Sequence, residues 1–576
     1  MSSTIDNEVM SETNGEFAPL QGGLRWHTSA PESVASSGTW DNDSEGWKSW
    51  AKHLSRRDGP KALARLFKHY DLPKASLDDD ASDATLTAWL EEATSPVLRE
   101  QAEQWLAVAR KLPKLSARIS ARVWWRTVEH LLNMRLWAES QDWQHDIVAG
   151  QLLLAELPIT LAYVLPEFDN TRWLVPGAIE HVRASMAELL DGQGLPHVSH
   201  LNDFRPLIAC WSRVAVMSCW LERADWTDEM RKEMSAAVTH LLRLTRRNGS
   251  QVLGAVDASS GSRLRWIEKA ADEFGTGKSK RLAAFVLRHR GELPSKAPSP
   301  ADHSEWSEVA TLRTEWTRRA HRLAVDYSGR RIRAELDAAG ELIFAGDWTF
   351  EIQFNGQVLE AQSDWEEVCW ETDDEVDYLE LQTTLPHGMR MQRQFMLSRS
   401  DEILVMADAV LGVEPGEIEY RASYPLASGI CFESAEESRE GFLVGKKRRA
   451  LVMPLAMPEW RADPRGTLHL VDGKLEVLQS VSKSRSLFAP LFFDLRSRRL
   501  EKRRTWRRLT VGEERAVAGP DVAVGYRAQV GKSQWLVFRS LQEGRSRTVL
   551  GHHLFSEFLV GRFTSEGTVE ALIEIE

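Results

Sequence analysis

Gly291-Glu-Leu-Pro-Ser-Lys-Ala-Pro-Ser-Pro-Ala-Asp-His303 divides this chain. It holds three prolines in a short polar stretch, and it reads as a linker over residues 291–303. The hydrophobic period differs on its two sides. Before it, apolar residues recur at helical spacing: Val123, Trp124, Val128, Leu131, Leu132 and Leu136, then Leu207, Cys210, Trp211, Val214, Met217 and Leu221. After it, Trp348-Thr-Phe-Glu-Ile-Gln-Phe354 alternates apolar with polar, and Asn355-Gly356 follows as a hairpin turn signal. Residues 401–411 and 535–538 also read as strands, with glycine-marked turns continuing to the end.

The expected class is therefore α+β and multidomain, with a helical half followed by antiparallel sheets packed face to face. Residues 45–290 form the helical domain and 304–576 the β domain. Short links between successive helices suit a bundle, a solenoid or a closed α/α toroid. No strict repeat is visible. Residues 1–44 are rich in Ser, Thr, Asn and Glu with few apolar side chains, and they read as disordered. Asp83 or Thr85 is the expected cap of one helix.

At 576 residues the chain is too long for one ordinary core. A net charge of −12 argues against wholesale nucleic-acid binding. The four cysteines show no metal-binding spacing and read as reduced thiols of a cytosolic protein. No secretory leader is seen. The most apolar window, residues 147–165, is interrupted by Glu156 and Pro158, so no membrane span is expected and the expected location is cytoplasmic. No Walker A, Rossmann, HExxH or GxSxG motif occurs, and no cofactor is expected. Gly275-Thr-Gly-Lys-Ser279 matches only the end of a Walker A. There are 23 Trp against 7 Tyr. Tryptophan lines many sugar-binding surfaces, but core packing explains most of them.

Several stretches resemble the heparinase II/III-type polysaccharide lyases. Ala155-Glu-Leu-Pro-Ile-Thr-Leu-Ala-Tyr163 resembles a helix of that family, and Leu190-Asp-Gly-Gln-Gly-Leu-Pro-His197 its DG turn. Arg247-Asn-Gly249 with Val256-Asp257 resembles the segment ahead of the domain junction. Leu312-Arg-Thr-Glu-Trp316 resembles the R-x-x-W strand that opens its β-sandwich, and Ala339-Gly-Glu-Leu-Ile343 the strand that follows. The resemblance spans residues 120–430. It implies an N-terminal (α/α) toroid, a C-terminal antiparallel β-sandwich, and an acidic polysaccharide or oligosaccharide as partner. If active, such a protein is a carbon–oxygen lyase acting by β-elimination.

That chemistry needs a group to neutralise the uronate carboxylate, a base for the C5 proton and an acid for the leaving oxygen. Leu195-Pro-His-Val-Ser-His-Leu-Asn-Asp-Phe-Arg-Pro206 supplies His197 or His200 as base and Asn202 or Arg205 as carboxylate neutraliser. Tyr163 is the candidate acid. Glu156, seven residues earlier, shares its helix face unless Pro158 kinks the helix, and could orient a histidine. The competing readings are structural. Asn202 or Asp203 caps the next helix, and Tyr163 is core. A pair such as Glu156 with Asp203 would instead suit hydrolysis.

The family's histidine-bearing β-domain loop has no counterpart here. Residues 324–340 contain no histidine, and His321 precedes them at a strand position. Tyr327, Arg330, Arg331 and Arg333 remain in a tight, charged connection, and with Arg313 and Trp316 they are candidate substrate contacts. Either the chemistry runs without that histidine, or the fold is kept for binding or scaffolding alone. Arginine clusters hold polyanions but do not serve as bases near neutral pH.

Arg496-Ser-Arg-Arg-Leu-Glu-Lys-Arg-Arg-Thr-Trp-Arg-Arg508 is either a polyanion patch around Trp506 or a charged strand edge. The nine acids between Asp364 and Glu380 read as an exposed hairpin, with Trp365, Trp370, Tyr378 and Leu379 packing inward. A structural divalent cation such as calcium is conceivable there, although the spacing fits no EF-hand.

Overall fold

The computed structural model describes residues 45–56, 82–92, 99–254, 265–288, 291–317, 319–463, 465–514, 516–542 and 545–576. The expected disordered segment 1–44 and the Val256-Asp257 motif lie outside them. The chain forms two units, and not by a single cut. One comprises residues 1–193, 203–238 and 265–275, and the other residues 194–202, 239–264 and 276–576. Three stretches that precede residue 290 thus group with the strand-bearing unit.

The first unit is helical. Its elements are α1 (Glu45–Ser55), α2 (Asp83–Glu92), α3 (Arg99–Leu115), α4 (Ala121–Glu139), α5 (Ile147–Val164), α6 (Asp169–Leu189), α7 (Phe204–Ser218), the first part of α8 (Asp228–Arg243), and α9 (Arg265–Phe274). Neither Asp83 nor Thr85 caps α2. Ser82 does, taking the Thr85 N–H on its hydroxyl, while Asp83 accepts the Ser120 N–H at 2.8 Å. Trp47, Trp50, Trp124 and Trp125 form one edge-and-face cluster with Phe168. Tryptophan here is chiefly core.

At the centre lies α5, long and apolar enough to cross a membrane by length and composition, yet 83% of that window is buried inside the protein. It is not one continuous α-helix. Leu152–Glu156 winds as a π-turn before Leu157–Val164 resumes, with Pro158 in the resumed first turn, where its missing N–H costs nothing. Glu156 closes the π-turn, and Tyr163 lies in the regular α-helical stretch that follows it.

The second unit is β-rich, and all its strand pairings among the described residues are antiparallel. It opens with β1 (Asp302–Ser304), β2 (Val309–Arg313), β3 (Arg322–Asp326), β4 (Ile332–Ala338) and β5 (Glu341–Phe354). These lead into a fifteen-stranded sheet whose longest members, Ile403–Pro425 and Lys474–Asp494, pair along their length. Asn355 (φ 51°) and Gly356 (φ 79°) make the expected hairpin turn after β5.

Both faces of the central strand are buried. Leu404, Met406 and Val410 enter one core, while Ile403, Val405 and Ala407 enter another. The second core also holds Trp506, Tyr526, Trp535 and Val537 of a five-stranded sheet. Leu536 and Phe538, which alternate with Trp535 and Val537, face a third core shared with a four-stranded sheet. Strand alternation thus stacks three layers. The acidic run forms the strand pair Glu366–Thr372 and Val376–Thr384, with Trp365, Tyr378 and Leu379 buried and Trp370 half-buried.

Candidate functional site

The stretch Gly194–Asn202 is held on the second unit by backbone bonds. Val198 N–H donates to the Ser307 carbonyl at 3.1 Å, and the Gln251 side chain donates to the Leu201 carbonyl. His197 caps a short 3-10 turn, Val198–His200. Its Nδ1 accepts the Ser199 N–H at 3.2 Å, so its Nε2 carries the proton toward Glu308 Oε2 at 3.1 Å. The ring edge meets the half-exposed Trp306, with centroids 6.0 Å apart. Both nitrogens of His197 are therefore engaged. In this arrangement Nε2 donates to the Glu308 carboxylate and Nδ1 accepts from the Ser199 backbone.

His200 is half-buried, and its ring makes no hydrogen bond among the described residues. Asn202 is exposed. Its Oδ1 lies beside Gly254, where an added Cβ would stand 3.4 Å from it. On the carbonyl side of Gly254 is Arg333, whose Nη1 donates to the Leu253 carbonyl at 2.9 Å and whose Nη2 reaches Glu335 at 3.1 Å. Glu335 also takes the Leu253 N–H and an Arg246 N–H. The stretch Gly194–Asn202 thus supplies an imidazole and a carboxamide, and β4 a restrained guanidinium. Such a set can hold a carboxylate or sulfate by hydrogen bonds.

Tyr327 is not a surface contact. It is 2% exposed, and its hydroxyl lies 2.9 Å from His303 Nε2, with the two rings stacked. His303 stacks in turn on Trp370 and lies 3.4 Å from Glu367. Burial pushes the His303 imidazole down to about 4 and raises the Tyr327 phenol, the latter helped by Glu367 and Glu308. His303 is the residue the sequence reading missed. It was absorbed into the proline-rich stretch, but it stands on β1, paired with Ala310. The only available signal was a histidine at the very end of the polar run.

Three candidates belong to the first unit. Tyr163 is half-buried on α5 and Arg205 half-buried on α7. Glu156 is fully buried and does not face a ligand. Arg213 bonds both its oxygens, through Nε at 2.6 Å and Nη2 at 2.5 Å, and Arg110 adds a third bond at 2.5 Å. Burial alone would push its pKa up, but the two guanidinia outweigh that and hold it below the usual carboxylate range. The Glu156–Asp203 hydrolytic pair is also corrected. Asp203 accepts from Arg99 at 3.0 Å instead, and it precedes α7 without a side-chain cap bond.

Arg313 and Trp316 meet as a cation–π pair at 4.8 Å, and both are buried. Arg331 is exposed, with only a long 3.6 Å contact to Asp347. His321 is buried against Glu402 at 3.5 Å, and its hydrogen bond, with that of Arg496, holds Glu402 at about 2. The basic run is a strand edge rather than an aromatic patch. Trp506 is buried with its indole N–H on the Met457 carbonyl, and Arg496, Arg499 and Arg504 are spent on Glu402, Asp494 and Glu440. Among the described residues no group of three or more His, Cys, Asp or Glu is arranged to hold a metal.

No sequence-family profile matches the chain. No curated protein matches it either. Solved structures do. Heparan sulfate lyase HepC from Pedobacter heparinus is 11% identical, with a TM-score of 0.56 over 87% of this chain and 82% of its own. A mutant form of that lyase gives 10%, 0.57, 87% and 94%. A heparinase III gives 10% identity and a TM-score of 0.55, over 80% of this chain and 79% of its own. The resemblance read from the sequence holds at the level of the fold: this chain is a divergent bearer of the fold of the heparinase III and HepC lyases, sharing about a tenth of their residues.

Proposed function

We propose that this protein binds an acidic polysaccharide or oligosaccharide of the uronate or sulfated class, on an (α/α) toroid and β-sandwich framework. The observation that carries the reading is the Gly194–Asn202 stretch. It offers His200 and the exposed Asn202, whose Oδ1 lies beside Gly254, while Arg333 holds the Leu253 and Gly254 carbonyls, on a fold shared with lyases whose names specify heparan sulfate and heparin. Carboxamide, imidazole and guanidinium are the donors that recognise carboxylate and sulfate.

Binding rather than cleavage is favoured by the state of the candidate catalysts. His197 is committed to Glu308, and Tyr327 is buried against His303. A second reading, β-elimination with His200 as base, has one observation in its favour. The His200 ring makes no hydrogen bond among the described residues, so its nitrogens are not committed.

The test is a panel of uronic-acid polysaccharides presented to the purified full chain. Salt-sensitive binding without new absorbance from an unsaturated uronide supports the binding reading. Absorbance that rises, and that His200→Ala abolishes, establishes elimination in its place. Neither binding nor absorbance on any member removes both.

A further inference from the structure

Within the second unit, one recess is walled largely by arginine. Arg246, Arg247, Arg313, Trp316 and Arg322 line it with a single carboxylate, Asp337, beside the apolar Val286 and Leu287, and its volume is about 50 Å³. Arg322 pairs with Asp337, and Arg246 with Glu335 behind the wall. Arg247 is exposed at the rim. Arg313 is different, because it is buried and makes no ion pair among the described residues. Its Nε donates to the Glu315 carbonyl at 2.8 Å and its Nη2 reaches the Trp316 carbonyl at 3.5 Å, but Nη1 is buried with no hydrogen bond. Arg322 Nε and Arg246 Nε are likewise buried without a hydrogen-bond partner.

A buried guanidinium with no counter-charge is among the costliest groups a fold can keep. Here the cost is visible. Burial, with Arg322 adding repulsion, pushes Arg313 down to about 9. Trp316 offers its face to Arg313 at 4.8 Å and to Arg243 at 5.9 Å, which stabilises the cations only partly. Counting Glu335 and Asp337 against the four lining arginines leaves an excess of about two positive charges. A dianion matches that excess, and N–H donors on three different arginines suit acceptors disposed around a centre rather than in a plane.

We infer that this recess is a binding site for a tetrahedral oxyanion, sulfate or phosphate, held chiefly by Arg313 with Arg246, Arg247 and Arg322. The oxyanion is either free or a sulfate ester carried on a sugar, since the donors read only the SO₄ or PO₄ group. The inference does not depend on the polysaccharide reading, because the His200 and Asn202 side chains do not line this recess.

The test is equilibrium dialysis of the full chain against labelled inorganic sulfate, with sodium chloride at matched ionic strength, and a sulfated disaccharide as competitor. The expected result is one saturable sulfate per chain, at least tenfold weaker in Arg313→Met, with Arg313→Met unfolding at a higher midpoint than the wild type when no oxyanion is present. Should Arg313→Met fail to fold, Arg247→Gln at the exposed rim carries the test, with at least threefold weakening expected. Displacement by the disaccharide at lower concentration than inorganic sulfate identifies the sugar ester as the better ligand. Disaccharide binding alone, lost in the variant, supports the site with the ester as its sole source. Absence of saturable binding of either probe, or binding unchanged in the folded variant, overturns the inference. Sulfate binding that survives His200→Ala and Asn202→Ala while polysaccharide binding is lost separates this site from the one proposed above.

Discussion

His303 Nε2 lies 2.9 Å from the Tyr327 hydroxyl, and the two rings stack inside the β unit. Both come from stretches whose sequence suggested exposure: a proline-rich connection and a charged turn. Strand pairing explains the inversion. β1 pairs with β2, which pairs with β3, and Tyr327 directly follows β3. A histidine in a linker and a tyrosine in a turn are thereby packed together.

This pairing predicts acid sensitivity. The imidazole titrates near 6.5 when unfolded and at about 4 in the folded protein, because burial disfavours its charged form. Between those values the unfolded chain binds more protons, so stability rises with pH. The contribution is fully present above pH 6.5 and is lost as pH falls toward 4. It amounts to about 2 kcal/mol once the nearby Glu367 is allowed to offset part of the cost. Urea unfolding from pH 7 to 4 should show this slope, and His303→Gln should flatten it. Parallel losses in wild type and variant would assign the acid sensitivity elsewhere, with His130, also pushed down to about 4 by burial, as the next residue to replace.

Removing the Glu156 charge takes away the carboxylate that both buried guanidinia, Arg110 and Arg213, bond. Glu156→Gln should cost about 3–5 kcal/mol in denaturant unfolding. The triple replacement Glu156→Leu, Arg110→Met, Arg213→Met should recover most of that loss, since apolar side chains of similar volume remove all three charges together. A triple variant no more stable than the single one would refute this account.

Surface and core candidates should separate by readout. His200→Ala and Asn202→Ala should each change stability by less than about 0.5 kcal/mol and weaken polysaccharide binding by about three- to tenfold. Tyr327→Phe should do the reverse, costing about 1 kcal/mol of stability through the lost hydrogen bond to His303 while leaving affinity unchanged. Calorimetric titration beside thermal unfolding distinguishes the two patterns.

Within the basic run, exposure decides. Trp506→Ala should destabilise by about 3–5 kcal/mol, because the ring is buried between two sheets. Arg507→Gln and Arg508→Gln, both exposed, should leave the unfolding midpoint in place. Loss of polyanion binding in the arginine variants would revive the patch reading that the burial of Trp506 argues against.

At the exposed Arg331, replacement by Gln should lower affinity for a polyanion only at low salt, since its charge is solvated and screened. A deficit that persists at high salt would mean a desolvated contact with the ligand.

By itself the sequence determined the change from helix to strand, the hairpin at Asn355-Gly356, the inward side of the acidic hairpin and the kinship of fold. The first three are written in local periodicity and turn chemistry, which act over a few residues; the kinship came from the order of short motifs. Tertiary structure alone decided which polar residues stay available. Glu156 and Tyr163 bracket a regular helical stretch, yet Glu156 is fully buried between two arginines while Tyr163 is only half-buried. His197 looked like a base until Glu308, more than a hundred residues on, took its second nitrogen. Arg313 and Trp316 were legible as a motif. That Arg313 forms no ion pair among the described residues, with Asp337 of the same recess spent on Arg322, was not, because counter-charges arrive from distant strands. Burial and pairing are sums over the whole fold, and no window of sequence contains them.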